Sequence, residues 1–168
     1  MKSLISFVFF LPLFAAAQDT CKLKKETDAF THQTKITTGF KSFSSNGVDL
    51  NITVDATATE VDIFLWIKND GKCFDDQSSI QVNYMGDRMK ANFKNTGSMN
   101  CEGAFHFTFR NLANTPVHLE RLSTKAIASF KITGNNKVIT DIVLDDAQKQ
   151  QLLRMIGCVV REAKTLIK

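Results

Sequence analysis

The feature that most limits the fold is an alternation of apolar and polar residues between about positions 33 and 144. In the run 48–55, Val, Leu, Ile and Val each precede a polar residue, and the run 105–110 alternates Phe with polar residues in the same way. Successive side chains of a strand point to opposite faces, so this period of two is typical of strands with one buried and one wet face. The stretch is therefore predicted to be β-sheet.

Short turn sequences separate these runs. One of them is Asn46-Gly47, where glycine adopts at no steric cost the positive φ that a tight hairpin needs. Connections this short join neighbouring antiparallel strands, because parallel strands need a longer crossover. Three hairpins are predicted in this way: 35–44 with 48–56 through Asn46-Gly47, 79–85 with 88–95 through Gly86-Asp87, and 126–133 with 137–144 through Gly134-Asn135-Asn136.

After residue 144 the apolar period lengthens to three or four residues. The apolar positions run from Leu152 to Leu166 or Ile167, and Asp145 or Asp146 is placed to cap the start of a helix. We predict an amphipathic helix with an opposite face of Arg154, Gly157, Arg161 and Lys164. The predicted fold class is mainly β: an antiparallel β-sandwich or open barrel with one long C-terminal helix packed on the sheet.

Residues 1–17 have the composition of a secretory signal peptide. Lys2 precedes an uncharged run rich in Phe and Leu, and Ala15 to Ala17 supply the small side chains of a cleavage site. The run is shorter than the roughly 20 apolar residues that span a bilayer. We therefore expect residues 18–168 to form a single secreted or periplasmic β-rich domain without a membrane span. Loss of Lys2 lowers the net charge from +4 to +3, which is too small to favour nucleic acid as a partner.

The mature chain keeps four cysteines, and an even number in an exported protein usually means two disulfides. Their pairing is predicted on the assumption that four runs form an antiparallel meander: 60–68, 79–85, 88–95 and 102–110. In such a meander, Cys73 and Cys101 lie at the same end of the sheet and can reach each other. The remaining pair is Cys21 with Cys158, which lies on the flank of the helix's apolar stripe.

The run 60–68 breaks the alternation, since its second face carries Phe64 and Trp66 beside Asp62 and Lys68. Both faces are apolar near the centre of this strand. The favoured interpretation is that the C-terminal helix or an N-terminal segment covers the second face. The alternative is an apolar cavity that binds a ligand and is lined by Phe64, Trp66, Phe93 and Phe130.

No sequence motif indicates catalysis, a metal site or a cofactor. His32, His106 and His118 are not at metal-ligand spacing, and the sequence contains neither HExxH nor GxSxG. Glycine-rich phosphate loops are missing as well. We therefore expect no catalytic residue, no bound metal and no cofactor. His106 with Thr108 and Arg110 is the strongest remaining candidate for a catalytic group.

Four segments carry a resemblance to a known group of proteins. They are the leader ending in three alanines before Gln18, CKLKKETDAFT at 21–31, MNCEGAFHFTF at 99–109 and LLRMIGCVV at 152–160. In these segments the chain resembles uncharacterised small exported proteins of Bacteroidota-type bacteria, over most of its mature length. The resemblance implies an envelope or secreted location. It supplies no reaction, because the shared positions are turns, strands and cysteines.

Three functions are left open by these observations. The favoured one is a non-enzymatic exported β-domain that binds an unknown ligand or a component of the cell envelope. The first alternative is a carrier of a small hydrophobic ligand or lipid, and the second is an enzyme whose site is assembled from dispersed residues. An open mouth near Phe64 and Trp66 would favour the carrier, and an acid beside His106 would favour the enzyme.

Overall fold

The computed structural model describes residues 21–27, 29–30, 32–68, 72–86 and 88–167. That part of the chain forms ten strands, two α-helices and a final 3₁₀ turn at Lys164–Leu166. The strands are β1 Lys24–Thr27, β2 Thr34–Thr37, β3 Lys41–Ser45, β4 Val48–Ala56, β5 Glu60–Lys68, β6 Ser79–Tyr84, β7 Lys90–Lys94, β8 Ala104–Arg110, β9 Ile127–Thr133 and β10 Ile139–Val143. The helices are α1 Val117–Thr124 and α2 Asp146–Ala163. The predicted signal peptide at 1–17 lies outside the described residues.

The first sheet has the strand order β1-β2-β4-β5-β8, with β3 also paired to β4. The predicted hairpin strand 35–44 is split in two at residues 38–40, where Gly39 has a φ of 62°. β2 pairs with the end of β4 and β3 with its beginning, as Ile36 opposite Ala56 and Phe43 opposite Leu50 show. The hairpin turn at Asn46-Gly47 is present, and the kink at Gly39 turns the chain between the two pairings.

The second sheet has the order β10-β9-β6-β7 and is also antiparallel. The predicted four-stranded meander is wrong, because β5 pairs directly with β8 while β6 and β7 belong to this second sheet. Two facing sheets can bury the apolar faces of β5 and β6 against each other, whereas one flat sheet would need another layer to cover them. Ile80 and Val82 of β6 are accordingly buried in the same cluster as Ile63 and Leu65 of β5.

Helix α2 confirms the prediction of a long C-terminal helix packed on the sheet. Asp145 caps it by accepting from the backbone N–H of Gln148, whose side chain in turn accepts from the backbone N–H of Asp145. The buried stripe of α2 joins the hydrophobic core, and the helix contacts β2, β4 and β5 of the first sheet and β9 of the second. The residues of this stripe are Leu152, Met155, Ile156, Val159, Val160 and Ala163.

Helix α1 was not predicted from the sequence. It contains only eight residues, and its two buried residues, Leu119 and Leu122, are too few to establish a helical period. The helix packs against α2. Gly157 was expected on the wet face of α2, but a Cβ there would lie 3.2 Å from the carbonyl oxygen of Ser123, so this glycine allows the two helices to approach closely.

Two disulfides are present, Cys21–Cys158 and Cys73–Cys101, and this is the pairing proposed from the sequence. The reason for the second bridge differs from the meander argument. Because β5 and β8 are direct neighbours, the chain after β5 and the chain before β8 continue side by side. Phe74 and Asn100 exchange both backbone hydrogen bonds there, at 2.8 and 2.9 Å. Two such bridges are typical of proteins that fold in an oxidising compartment.

Candidate functional site

The outer face of the first sheet carries the candidate site and is partly exposed, although Asn51 and Thr53 are buried on it. Along β5, Val61, Ile63, Leu65 and Ile67 are buried, while Phe64 is half-buried and Trp66 is 42% exposed on the other face. The expectation that the helix or an N-terminal segment covers this second face is wrong. α2 packs with the core residues instead, and the N-terminal strand β1 extends the sheet edge beside β2. The two aromatic rings are therefore accessible from solvent.

Three aromatic side chains and one imidazole form what we call the aromatic face: Phe40, Phe64, Trp66 and His106. The ring of Phe40, 56% exposed, meets Phe64 edge-on with 5.8 Å between centroids. The His106 ring lies 5.8 Å from Phe64 on its other side, since these two residues are directly opposite in β5 and β8. The indole Nε1 of Trp66 donates to the carbonyl oxygen of Glu102 at 2.9 Å, which fixes the ring orientation.

Phe40 is the residue of this face that sequence reasoning missed. It follows Gly39 at the kink between β2 and β3, and nothing in the period of two indicates which way a residue at such a break points. The only signal was a glycine inside a strand-like run, a position that often marks a bulge or bend. The kink turns Phe40 towards Phe64 and so adds a third ring to the pair that β5 supplies.

A pair of ionisable groups borders the rings. Nδ1 of His106 lies 3.3 Å from the carboxylate of Asp62. Burial raises the pKa of Asp62 above its ordinary value, the interaction with His106 opposes this, and the neighbouring carboxylates of Asp55 and Glu60 raise it further. Asp55 is opposite Asp62 in the β4–β5 register and forms an ion pair of 2.6 Å with Lys35.

His106 is held in place through its backbone as well as through its ring. Its backbone N–H donates to the side-chain oxygen of Asn95 at 3.0 Å, and its carbonyl oxygen accepts from the backbone N–H of Thr96 at 2.8 Å. A Cβ added at Gly97 would overlap Nε2 of the imidazole. The ring therefore lies over a glycine that has no side chain to displace it.

A shallow groove of about 310 Å³ runs beside the aromatic face. Its walls combine aromatic carbon with hydroxyl, carboxylate and ammonium groups, an arrangement that can both stack on a ligand and hydrogen-bond to it. The lining residues are Lys24, Glu26, Lys35, Thr37, Gly39, Phe40, Thr53, Asp55, Asp62 and Phe64.

The structure does not bring together the four aromatic residues predicted to line a ligand cavity. Phe64 and Trp66 lie on the outer face, as described. Phe93 stacks on Phe107 at 4.8 Å between centroids, in the space between the two sheets, and Phe130 is buried there with 2% exposure. The two pairs are on opposite sides of the first sheet, so a shared cavity is excluded for these residues.

The candidate catalytic group is only partly assembled. His106, Thr108 and Arg110 share the outer face of β8, and His106 has Asp62 beside it. Within the described ranges, however, no hydroxyl or thiol makes a hydrogen bond to the imidazole, so a nucleophile activated by this histidine is not in place. Among the residues that the structure describes, no three His, Cys, Asp or Glu side chains converge on a metal-binding position.

Two further findings concern the molecule as a whole. In the portion covered by the structure, neither helix combines the length and hydrophobicity that crossing a membrane requires. No protein-family model, curated protein or solved structure matches this chain.

Proposed function

We propose that this protein is a non-enzymatic, extracytoplasmic binding domain that binds its ligand on the aromatic face. The observation that carries the proposal is the exposure of Phe40 and Trp66 beside the half-buried Phe64, on a sheet face that α2 does not cover. Single exposed apolar residues are ordinary on protein surfaces, but a contiguous aromatic patch rimmed by polar groups marks interaction sites. The leader sequence together with the two disulfides supports the compartment.

The chemistry of the groove favours a saccharide as the ligand. A sugar ring has an apolar face of C–H groups and a rim of hydroxyls, so it needs both a flat aromatic surface and hydrogen-bonding partners. The aromatic face supplies the surface. Asp62, Asp55 and Lys35 supply charged acceptors and a donor beside it, while Thr37 and Thr53 are buried at its base and hydrogen-bond to each other. A purely hydrophobic ligand would leave these charged groups without a role and would cost their desolvation.

The two alternatives have less support. A carrier of a hydrophobic molecule needs an apolar interior, whereas Phe93 and Phe130 fill the space between the sheets with packed rings. The Asp62–His106 pair is the one observation that favours an enzyme. The imidazole of His106 has an acid on one side and Gly97 on the other. This arrangement favours a role in orienting Phe64 over a role in attacking a substrate.

The test uses the intrinsic fluorescence of Trp66, the only tryptophan in the chain. Soluble hexasaccharides of glucose, xylose and mannose are titrated separately into the folded protein. A ligand that stacks on the aromatic face should shift the emission of the half-exposed indole to shorter wavelength. Phe64→Ala should weaken this binding by about fivefold, since loss of one stacked aromatic contact is worth on the order of 1 kcal/mol.

Val143→Ala is the matched control, because Val143 is an exposed apolar residue of β10 in the second sheet. It should leave binding unchanged. A Trp66 emission that responds to none of the saccharides, or a loss of binding equal in Phe64→Ala and Val143→Ala, would contradict the proposal. A response to a fatty acid in place of the saccharides would favour the carrier.

A further inference from the structure

We propose a second binding site, for a phosphate group, in a groove between the N-terminal segment and α2. This basic groove is built around the Cys21–Cys158 disulfide and has a volume of about 270 Å³. Three separate segments supply its walls: residues 21–23, the beginning of β3 with the preceding kink, and the middle of α2. The lining residues are Cys21, Lys22, Leu23, Thr38, Lys41, Gln151, Arg154, Met155 and Cys158.

The charge of the groove is one-sided. Lys22, Lys41 and Arg154 line it, and no carboxylate does. Arg161 is adjacent, with its guanidinium donating to the sulfur of Cys21 at 2.8 Å. Within the described part of the chain, none of these four cations has a carboxylate within 4.0 Å, whereas Lys35 and Lys149 elsewhere are paired with acids. Clustered cations without counter-charges repel one another, and an anion bound among them relieves this repulsion.

The disulfide sets the geometry of the site. It ties residue 21 to α2, and the backbone N–H of Leu23 donates to the carbonyl oxygen of Cys21 at 2.9 Å, which turns the segment along the helix. Lys22 and Leu23 are thereby placed across the groove from Arg154 and Met155. Without the bridge, the lysine of this segment would be free to move away from the arginines of α2.

The residue types indicate a phosphate. Arginine offers a planar fork of donors that matches phosphate oxygens, and lysine ammonium groups add mobile point charges around it. Leu23 and Met155 supply an apolar wall for the group that carries the phosphate. The same chemistry occurs in the headgroup of an anionic lipid and in a soluble phosphorylated compound, so the experiment has an arm for each source.

In the first arm, the protein is co-sedimented with vesicles of phosphatidylglycerol and phosphatidylcholine, with pure phosphatidylcholine vesicles as reference. In the second arm, pyrophosphate is titrated into the protein and followed by calorimetry. Binding in either arm supports the site and identifies the source of the phosphate. Binding in neither arm, at low ionic strength where screening is weakest, overturns the proposal.

The double variant Lys41→Glu with Arg154→Glu tests the location. It should weaken the observed binding by tenfold or more, since each cation near an anionic surface is worth about 1 kcal/mol and the reversal adds repulsion. The control is Lys90→Glu with Lys131→Glu, which makes the same change in net charge at exposed lysines of the second sheet. Equal losses in the two variants would show a general charge effect and refute the groove.

Thermal unfolding of both double variants checks that they are folded. Should the charge reversal prevent folding, the milder Arg154→Gln removes one charge from an exposed residue and should weaken binding by about threefold to tenfold. An Arg154→Gln protein that binds as tightly as the wild type would also overturn the site. Loss of binding in this variant would leave the saccharide titration of Trp66 unchanged, so the two proposals fail independently.

Discussion

At the scale of single residues, Asp62 shows how position on a sheet sets electrostatics. It lies on the outer face, opposite Asp55 and diagonal to His106, so that one acid and one base act on it from neighbouring strands. Partial burial among side chains raises its pKa more than the histidine lowers it. The carboxylate is therefore a source of instability in the folded protein at neutral pH.

The pH dependence of the Asp62→Asn variant tests this assignment. Because the folded-state pKa is raised, the native protein holds this proton to higher pH than the unfolded chain does. The stability contributed by Asp62 is then lost as the pH rises from about 4 through the raised pKa. The asparagine side chain of the variant cannot ionise. The free energy of unfolding of the variant should therefore increase relative to that of the wild type as the pH rises through this window.

Urea unfolding of the two proteins at a series of pH values, from about 3.5 to about 7, measures this difference. A wild type that instead gains on Asp62→Asn with rising pH would mean that the ion pair with His106 outweighs burial. The pKa of Asp62 would then be lowered in the folded protein, and the carboxylate would stabilise it at neutral pH.

At the scale of elements, α2 is the best example of a sequence pattern that predicts which face of an element is buried. Its apolar residues recur every three or four positions, its N-cap is an aspartate, and the helix lies with that stripe in the core. α1 carries the same kind of information in two turns, which are too short to be recognised. The Gly157 contact with α1 was unpredictable for the same reason, because it depends on a helix that the period does not reveal.

A pair of aspartate substitutions tests the orientation of α2. Ile156 is fully buried, so Ile156→Asp should lower the free energy of unfolding by about 4 kcal/mol or more, through loss of packing and burial of a charge. Gln150→Asp introduces the same residue on the exposed face and should change it by less than about 1 kcal/mol. Chemical denaturation of both variants decides the point: equal effects would contradict this orientation, and a larger effect of Gln150→Asp would show that the helix faces the other way.

At the scale of the whole molecule, the two disulfides act on different parts of the topology. Cys73–Cys101 joins the neighbouring extensions of β5 and β8 and closes a separation of 28 residues. Cys21–Cys158 joins the start of the described chain to the last helix, over 137 residues. The longer bridge constrains nearly the whole unfolded chain, and it also places Lys22 beside α2 in the basic groove.

Removal of each disulfide by a double Cys→Ser substitution should therefore have unequal effects. In the chain-entropy model, loss of the 137-residue separation costs about 5 kcal/mol and loss of the 28-residue separation about 3.5 kcal/mol. Urea unfolding of the two double variants measures both. A larger cost for Cys73→Ser with Cys101→Ser would show that local strand contacts, and not the size of the closed loop, govern the stabilisation.

The sequence by itself determined the strands from β2 to β10, with β2 and β3 as one run, and the long helix, whereas β1 was not predicted. The predicted cysteine pairing is present, but the pairing of Cys73 with Cys101 follows from the neighbouring positions of β5 and β8 and not from the predicted meander. The apolar positions of the alternation along 48–55 and the three-to-four-residue period of α2 report side chains that leave water, and that information is local. The alternation does not report the burial of Asn51 and Thr53 on the other face of β4, because neighbouring segments cover them. It also placed Phe64 and Trp66 together on one face of β5, because residues two apart on a strand share a face.

Only the tertiary structure decided how these elements are arranged. The period of two is the same whether β5 pairs with β6 or with β8, so the division into two sheets depended on which arrangement buries the apolar faces of both. That division placed Phe130 in the core and Phe93 against it, and it left Phe64 half-buried and Trp66 exposed on the outer face. Whether each aromatic side chain is buried depends on the residues that pack against it, and those residues are distant in the sequence.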